Sequence, residues 1–388
     1  MPETRWLTAN LRFCVFDNKR TNREVRMNFK LLKQASQKTF LGAIGAAALS
    51  IVAIGTAQAD PVTVVSWGGS YGKAQDAALF TDASKNSGIE INRESGASMS
   101  KVMLQVESGA VTWDLVVSGS GGCAAAAAKG ALEKIDFNVV DVSDFLPNTY
   151  SDYCIGSDVF ATVFAWNTEK YGEPGSAGAP SSWADFWDVK KFPGTRAIRL
   201  NNVDGVLEPA VMAMGVPPEK VYEFLSSEGG IEKAIAKIRE LKPHISVYWK
   251  SGAMQAQLMK DKEVDMITGW NGRFDNAKKD GATVGYTFNQ ALRDYDGFGI
   301  PKGAPNKDMA MKFLAEVSKP QYQANLPFHI TYGPTNKVAY EVTSAPKELL
   351  EALPSHPNNV SKMLAVDLDW YANYREKALE LYMELLSE

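Results

Sequence analysis

Apolar residues in this chain come in short β-branched runs, each closed by glycine or serine and followed by a stretch with helical spacing. Val62-Thr63-Val64-Val65-Ser66-Trp67 predicts a first strand, Gly68-Gly69-Ser70-Tyr71-Gly72 a turn, and residues 73–85 a helix that Gly88 stops. A second strand is predicted over 89–93. Met99, Val102, Met103 and Val106 then recur at i, i+3, i+4, i+7, the stripe of an amphipathic helix whose methionines read as core filling. Asp114-Leu115-Val116-Val117 predicts a third strand, opening onto Ser118-Gly119-Ser120-Gly121-Gly122 and an Ala-rich helix over 123–129. This alternation predicts an α/β fold with a parallel sheet, and in such sheets ligands sit outside the carboxyl ends of the strands.

The pattern then starts again. Residues 159–166 form a nearly continuous apolar strand, followed by a Gly- and Pro-rich stretch over 172–180 and a helix capped by Ser182 with Asp185 three residues on. A strand over 196–200, helices over 207–214 and 231–241, a strand over 246–249 and a helix over 252–260 follow. The stretch 264–301 closes this set: an apolar strand delivers Trp270 and Arg273 to its carboxyl end, and Tyr295-Asp296-Gly297-Phe298-Gly299-Ile300-Pro301 brings the chain back. A helix over 307–317 and a long one from Asp367, with Trp370, Tyr374, Ala378, Leu381 and Leu385 on one face, end the chain. We expect two lobes, one from 60–166 and one from 167–299, sharing 300–388 between them. Crossings are expected at Trp166-Asn167 and at Phe298-Gly299-Ile300-Pro301, so that the lobes can close over a small ligand.

Residues 1–59 read as a leader. Met27 opens a secretory signal: Lys30, Lys33 and Lys38 form the charged region, 41–54 the apolar region, and Ala57-Gln58-Ala59 a cleavage site before Asp60. The apolar run is shorter than the roughly 20 residues a spanning helix needs. Without a twin-arginine pair before it, general secretion of an unfolded chain is expected, with periplasmic localisation. The leader holds nine of the 41 Lys and Arg and three of the 45 Asp and Glu, leaving 32 basic against 42 acidic residues and a net charge near −10. Such a chain is a poor nucleic-acid partner. Cys14 falls in the leader, so Cys123 and Cys154 remain, either a disulfide or two small buried hydrophobes. Their spacing fits no zinc pattern, and three histidines in all leave few metal ligands.

Two glycine-rich junctions carry enzyme-like motifs. Gly68-Gly69-Ser70-Tyr71-Gly72 matches the G-x-S-x-G of a nucleophile elbow but lacks an oxyanion segment, and reads better as backbone open to a ligand between Trp67 and Tyr71. Gly119-Ser120-Gly121-Gly122-Cys123-Ala124 fits a G-x-G-x-x-A dinucleotide fingerprint with Asp141 at the ribose distance. The plainer reading is that Ser118 and Ser120 offer hydroxyls to a polar ligand. Trp270 and Arg273 supply an aromatic face and a planar fork for a carboxylate. Tyr295 and Asp296 supply an aromatic and an anion for an ammonium group. A ligand lacking either charge would leave Arg273 or Asp296 desolvated and unpaired, a penalty of about 3–5 kcal/mol.

In their order and spacing, Trp67-Gly68-Gly69-Ser70-Tyr71, Trp113-Asp114-Leu115-Val116-Val117-Ser118, Ser182-Trp183-Ala184-Asp185-Phe186-Trp187, Trp270-Asn271-Gly272 and the Asp296-to-Pro301 return resemble the periplasmic solute-binding proteins of ABC importers, in the branch that includes spermidine/putrescine-binding proteins. The resemblance covers nearly all of the chain after the leader. It implies a two-lobe fold of type II kind, capture of a small solute without catalysis, metal or cofactor, and delivery by a monomer to an ABC permease at the inner membrane. It also implies that Trp67 and Trp270 are aromatic walls and that Asp296 matches an amine-binding aspartate. Two departures stand out. Asn202 and Gly205 occupy the loop where polyamine binders carry further acids, and Arg273 adds a cation. The expected ligand therefore shifts from a polyamine to a zwitterionic ω-amino acid such as γ-aminobutyrate. Polyamine binding is the alternative, and an exported dinucleotide-dependent oxidoreductase the second.

Overall fold

The computed structural model describes residues 60–388 apart from residue 201; the leader and its cleavage site lie outside the described residues. The strands are β1 (Val62–Ser66), β2 (Ile91–Ser95), β3 (Leu115–Gly119), β4 (Cys154–Asn167), β5 (Arg196–Arg199), β6 (Ile245–Trp249), β7 (Met266–Trp270), β8 (Val284–Tyr286), β9 (Leu292–Gly299) and β10 (Leu364–Ala365). They join in the order β2-β1-β3-β9-β4-β7-β5-β6, with β10 added to β9 and β8 to β4. β2, β1 and β3 run parallel at one end, and β7, β5 and β6 run parallel at the other. Between them the long strands β4 and β9 pair antiparallel from Cys154↔Gly299 to Thr162↔Leu292.

Core packing divides the sheet into two halves. One core gathers Val64, Val116, Ile155, Phe160 and Phe298. In the other half, alternation along β4 sends Phe164 and Trp166 to one face and Val163 and Ala165 to the other, where each pair meets its own helical layer. The changeover of core thus falls in the middle of β4. Trp166 and Asn167, expected at the crossing, pair with Met266 and Val284 inside the second half.

Two helices begin earlier than the glycines suggest. Gly68 turns the chain with φ 79°, and the helix starts at once as Gly69–Gln75, continuing through a π turn at Asp76–Phe80 into Thr81–Ser87. Ser70 and Tyr71 therefore sit in a helical first turn instead of a loop. Ser120–Ala128 likewise starts directly after β3. Cys123 in that helix is disulfide-bonded to Cys154 at the start of β4, with Cα atoms 6.3 Å apart.

The last helix, Leu368–Ser387, is capped by Asp367, whose carboxylate accepts from the Trp370 N–H at 2.9 Å. Its buried residues are Trp370, Tyr371, Ala378, Tyr382 and Leu385, whereas Tyr374 is exposed. The stripe is rotated from the expected one, and half-buried Arg375 beside it pairs with Asp204 at 3.0 Å.

Candidate ligand-binding cleft

Arg273 lies in the first turn of the helix Asn271–Lys279, directly after β7, and is only 4% exposed. Its guanidinium reaches out of the second half toward the first. Nη1 donates to Ser70 Oγ at 2.8 Å, and the group stands 5.5 Å from the Tyr71 ring centroid. Glycines make the path: a Cβ at Gly252 would stand 2.5 Å from Arg273 Nε, and one at Gly69 3.5 Å from Nη1. Nε itself is buried without a partner. An arginine fork so placed has donor capacity to spare for a carboxylate.

The acidic end is built on the paired strands β4 and β9. Asp296 on β9 accepts from Trp67 Nε1 at 3.0 Å. Directly opposite it in register stands Asp158 on β4, fully buried. Asp158 Oδ2 accepts from the hydroxyls of Tyr71 at 2.7 Å and Ser157 at 2.8 Å, while Oδ1 has no partner. Burial raises the Asp296 carboxyl to about 6, although the Trp67 bond and the Arg273 charge pull it down. Burial, with the neighbouring Asp296 charge, pushes Asp158 well above the usual carboxylate range. Two desolvated acids facing one another hold protons that free carboxylates would release, and a cation between them relieves both.

Aromatic side chains pack around these charged groups. Trp270 meets Phe160 edge-on at 6.4 Å and Trp249 at 5.3 Å, and Tyr332 leans on both Tyr71 and Phe160 at 5.8 Å. Trp67 stays 40% exposed at the rim. Of the residues singled out from the sequence, Trp67, Ser70, Tyr71, Arg273 and Asp296 are thus linked through direct contacts, with Trp270 in the aromatic wall.

Three others make different contacts, the two serines on strand β3 and its following helix beside Asp296. Ser118 donates to the Gly119 carbonyl at 3.0 Å. Ser120 donates to the carboxylate of Asp294, an acid that burial raises to about 7. Tyr295 pairs with Val159 in the register and lines a separate small cavity with Arg293 and Leu368, because neighbours along a strand point to opposite faces. The enzyme-like motifs are also occupied. Ser70 serves Arg273, Asp141 accepts from the Ser143 N–H at 2.9 Å, and Gly121 packs against Tyr371, where a Cβ would stand 3.2 Å from the ring.

A profile described as bacterial extracellular solute-binding protein matches residues 77–354. The chain belongs to the bacterial extracellular solute-binding protein family. A γ-aminobutyric acid-binding protein of Pseudomonas aeruginosa is 34% identical over 331 residues, 85% of this chain and 92% of that one. Among solved structures, MotA of A. tumefaciens B6 in complex with glucopine is 43% identical with a TM-score of 0.80, covering 84% of this chain and 99% of the other. The structure titled Atu4243-GABA receptor is 30% identical with a TM-score of 0.74, covering 84% and 97%. As a solute-binding protein, the chain takes up a small molecule and works with an ABC permease. Among the described residues no helix is long and apolar enough to cross a membrane.

Three further residues join this candidate cleft that the sequence pattern does not mark. Asp158 lies in an apolar strand, Tyr332 in an irregular segment, and Arg199 at the end of β5, 5.3 Å from the Trp270 ring. Arg199 had one usable signal: like Trp249 and Trp270, it closes a strand of the parallel set, at the sheet edge where ligands bind.

Proposed function

We propose that this protein captures a small zwitterionic ω-amino acid, γ-aminobutyrate or a close relative, between its two halves. The observation that carries the reading is the pairing of opposite charges: Arg273 comes from the second half, while Asp158 and Asp296 sit on the hinge strands with an unpartnered carboxylate oxygen between them and solvent-poor aromatic walls. The ligand carboxylate takes the guanidinium fork. The ammonium lies against Asp296, Trp67 and the Asp158 pair, through ion pairing and cation–π contact. The γ-aminobutyric acid-binding relative at 34% identity supports the same ligand class. Against a polyamine, the loop acid Asp204 is already engaged by Arg375, and Arg273 and Arg199 would repel a second amino group.

The hinge in this reading is the middle of β4 and β9, where the cores change, with residues before it and after it forming the two lobes. The leader up to Ala59 is removed on export, Met27 is its start, and the mature monomer works in the periplasm without chemical change to its solute. Calorimetric titration tests the ligand: γ-aminobutyrate and 5-aminovalerate are expected to bind, and putrescine not. Tight putrescine binding without γ-aminobutyrate binding would falsify the reading.

A larger amino-acid conjugate is the second reading, favoured by the glucopine complex of the 43% identical relative. Glucopine binding well above γ-aminobutyrate in the same titration would select it.

A further inference from the structure

Arg199 is the cation at the cleft that the zwitterion leaves unused. It ends β5 in register with Trp249 of β6, and its backbone carbonyl is held by the Tyr382 hydroxyl. The guanidinium carbon stands 5.7 Å from the Trp249 ring and 5.3 Å from the Trp270 ring. Of its five N–H groups, one on Nη1 donates to the Asp204 carbonyl at 3.1 Å, and Nε is buried with no partner. The carboxylate that would neutralise it is spoken for. Asp204 Oδ1 accepts from Arg375 Nε at 3.0 Å, and Arg375 Nη2 donates to Asn202 Oδ1 at 2.9 Å. Two arginines therefore share the charge of one aspartate, and burial disfavours the charge on Arg199 while Arg375 repels it.

Charge balance across the cleft then has a remainder. Arg273 consumes one ligand carboxylate and the facing pair Asp158 and Asp296 consumes the ammonium, which leaves Arg199, half-buried between two indoles, with no carboxylate bonded to it and only the through-space attraction of Asp204 and Asp296. A half-buried guanidinium with no carboxylate bonded to it carries a cost, and a planar fork is shaped to receive one. We propose that Arg199 reads a second anionic group of the solute, so that the best ligand is an amino acid bearing two carboxylates, one for Arg273 and one for Arg199. This deepens the zwitterion reading and rests on it.

Calorimetry on the mature protein compares γ-aminobutyrate and 5-aminovalerate, with one carboxylate, against glutamate and α-aminoadipate, with two. At least one of the second set is expected to bind about tenfold or more tighter than the better of the first. Arg199→Gln is expected to cut that preference by about tenfold, and Arg199→Lys, which keeps the charge but not the fork, to restore part of it. Should the variants not fold, the wild-type preference alone decides. If the one-carboxylate ligands bind as well as or better than the others, the second anion position is overturned and the zwitterion reading stands. If neither set binds, both fall together. If Arg199→Gln weakens both sets equally and lowers the melting temperature, Arg199 is a brace for the 202–205 loop and the proposal is overturned.

Discussion

The two ends of the cleft solve the problem of a buried charge in different ways. At the cationic end Arg273 crosses between the halves, cleared by glycines and steadied by the Ser70 hydroxyl, Tyr332 and the Tyr71 ring. An arginine carries its charge across the whole physiological range, so this end is a fixed charge whose only variable is position. At the acidic end two aspartates face one another across β4 and β9 inside a network of Trp67, Tyr71, Ser157 and Gln75. Their position is fixed by strand register, and their variable is protonation. The lesson is that one end of this site is set by geometry and the other by proton occupancy, with the fixed charge of the first biasing the protons of the second.

The sharpest break is Arg273→Ala. It strands the ligand carboxylate, and with a penalty of about 3–5 kcal/mol the affinity for γ-aminobutyrate should drop by about a hundredfold or more, read by calorimetry. An unchanged affinity would mean that the guanidinium does not meet the ligand. Gly252→Ala leaves every charge in place but sets a Cβ 2.5 Å from Arg273 Nε. A loss of about tenfold, through displacement of the fork, is the outcome that separates position from charge at this end. A Gly252→Ala protein that binds like the wild type would show that the arginine has another route.

The smallest effect belongs to the acidic end and to pH. Asp296 titrates at about 6 in the folded protein, Asp294 and Glu208 at about 7, all raised chiefly by burial. Raised carboxyls favour the folded state below the ordinary carboxylate pKa of about 4, and that contribution is lost as pH rises through 6 to 7. The ligand-free melting temperature should therefore fall by a few degrees between pH 5 and pH 8. An ammonium beside Asp296 favours its ionised form, so the rise in melting temperature caused by γ-aminobutyrate should be larger at pH 8 than at pH 5. A ligand-induced rise that shrinks over the same interval would count against an amine at this acid pair.

The cationic end was more legible in the sequence than the acidic one. Trp270 and Arg273 follow an apolar strand directly, so the strand itself says which edge they occupy. Asp296 was visible by its glycine-flanked setting, but its partner Asp158 sits in Gly156-Ser157-Asp158-Val159, inside a strand that otherwise reads as core. Only pairing places it opposite Asp296, and register across two strands this far apart in sequence is not written in either one. The same gap let Tyr295 into the site beside Asp296, although the pleat sends them to opposite faces. Ser120 was admitted because a glycine-rich run looks like an open loop, whereas the helix starts there and the hydroxyl turns to Asp294. Arg199 lay hidden for another reason. Its lack of a counter-ion depends on Arg375, which the last helix brings to Asp204 from 171 residues away.

That last helix also bears on the order in which the molecule can assemble. The core of the second half is begun by residues such as Leu207 and Ile235 and finished by Tyr371, Tyr382 and Leu385, with the Tyr371 hydroxyl bonded to Glu208 across 163 residues of chain. No prefix of the polypeptide contains a complete second core. Contacts of such long sequence separation form slowly, because the loop must close before any of them rewards it. Until that helix is in place the second core lacks its closing layer, whereas the first core is complete by Tyr332. The C-terminal helix thus works as a timer as well as a brace.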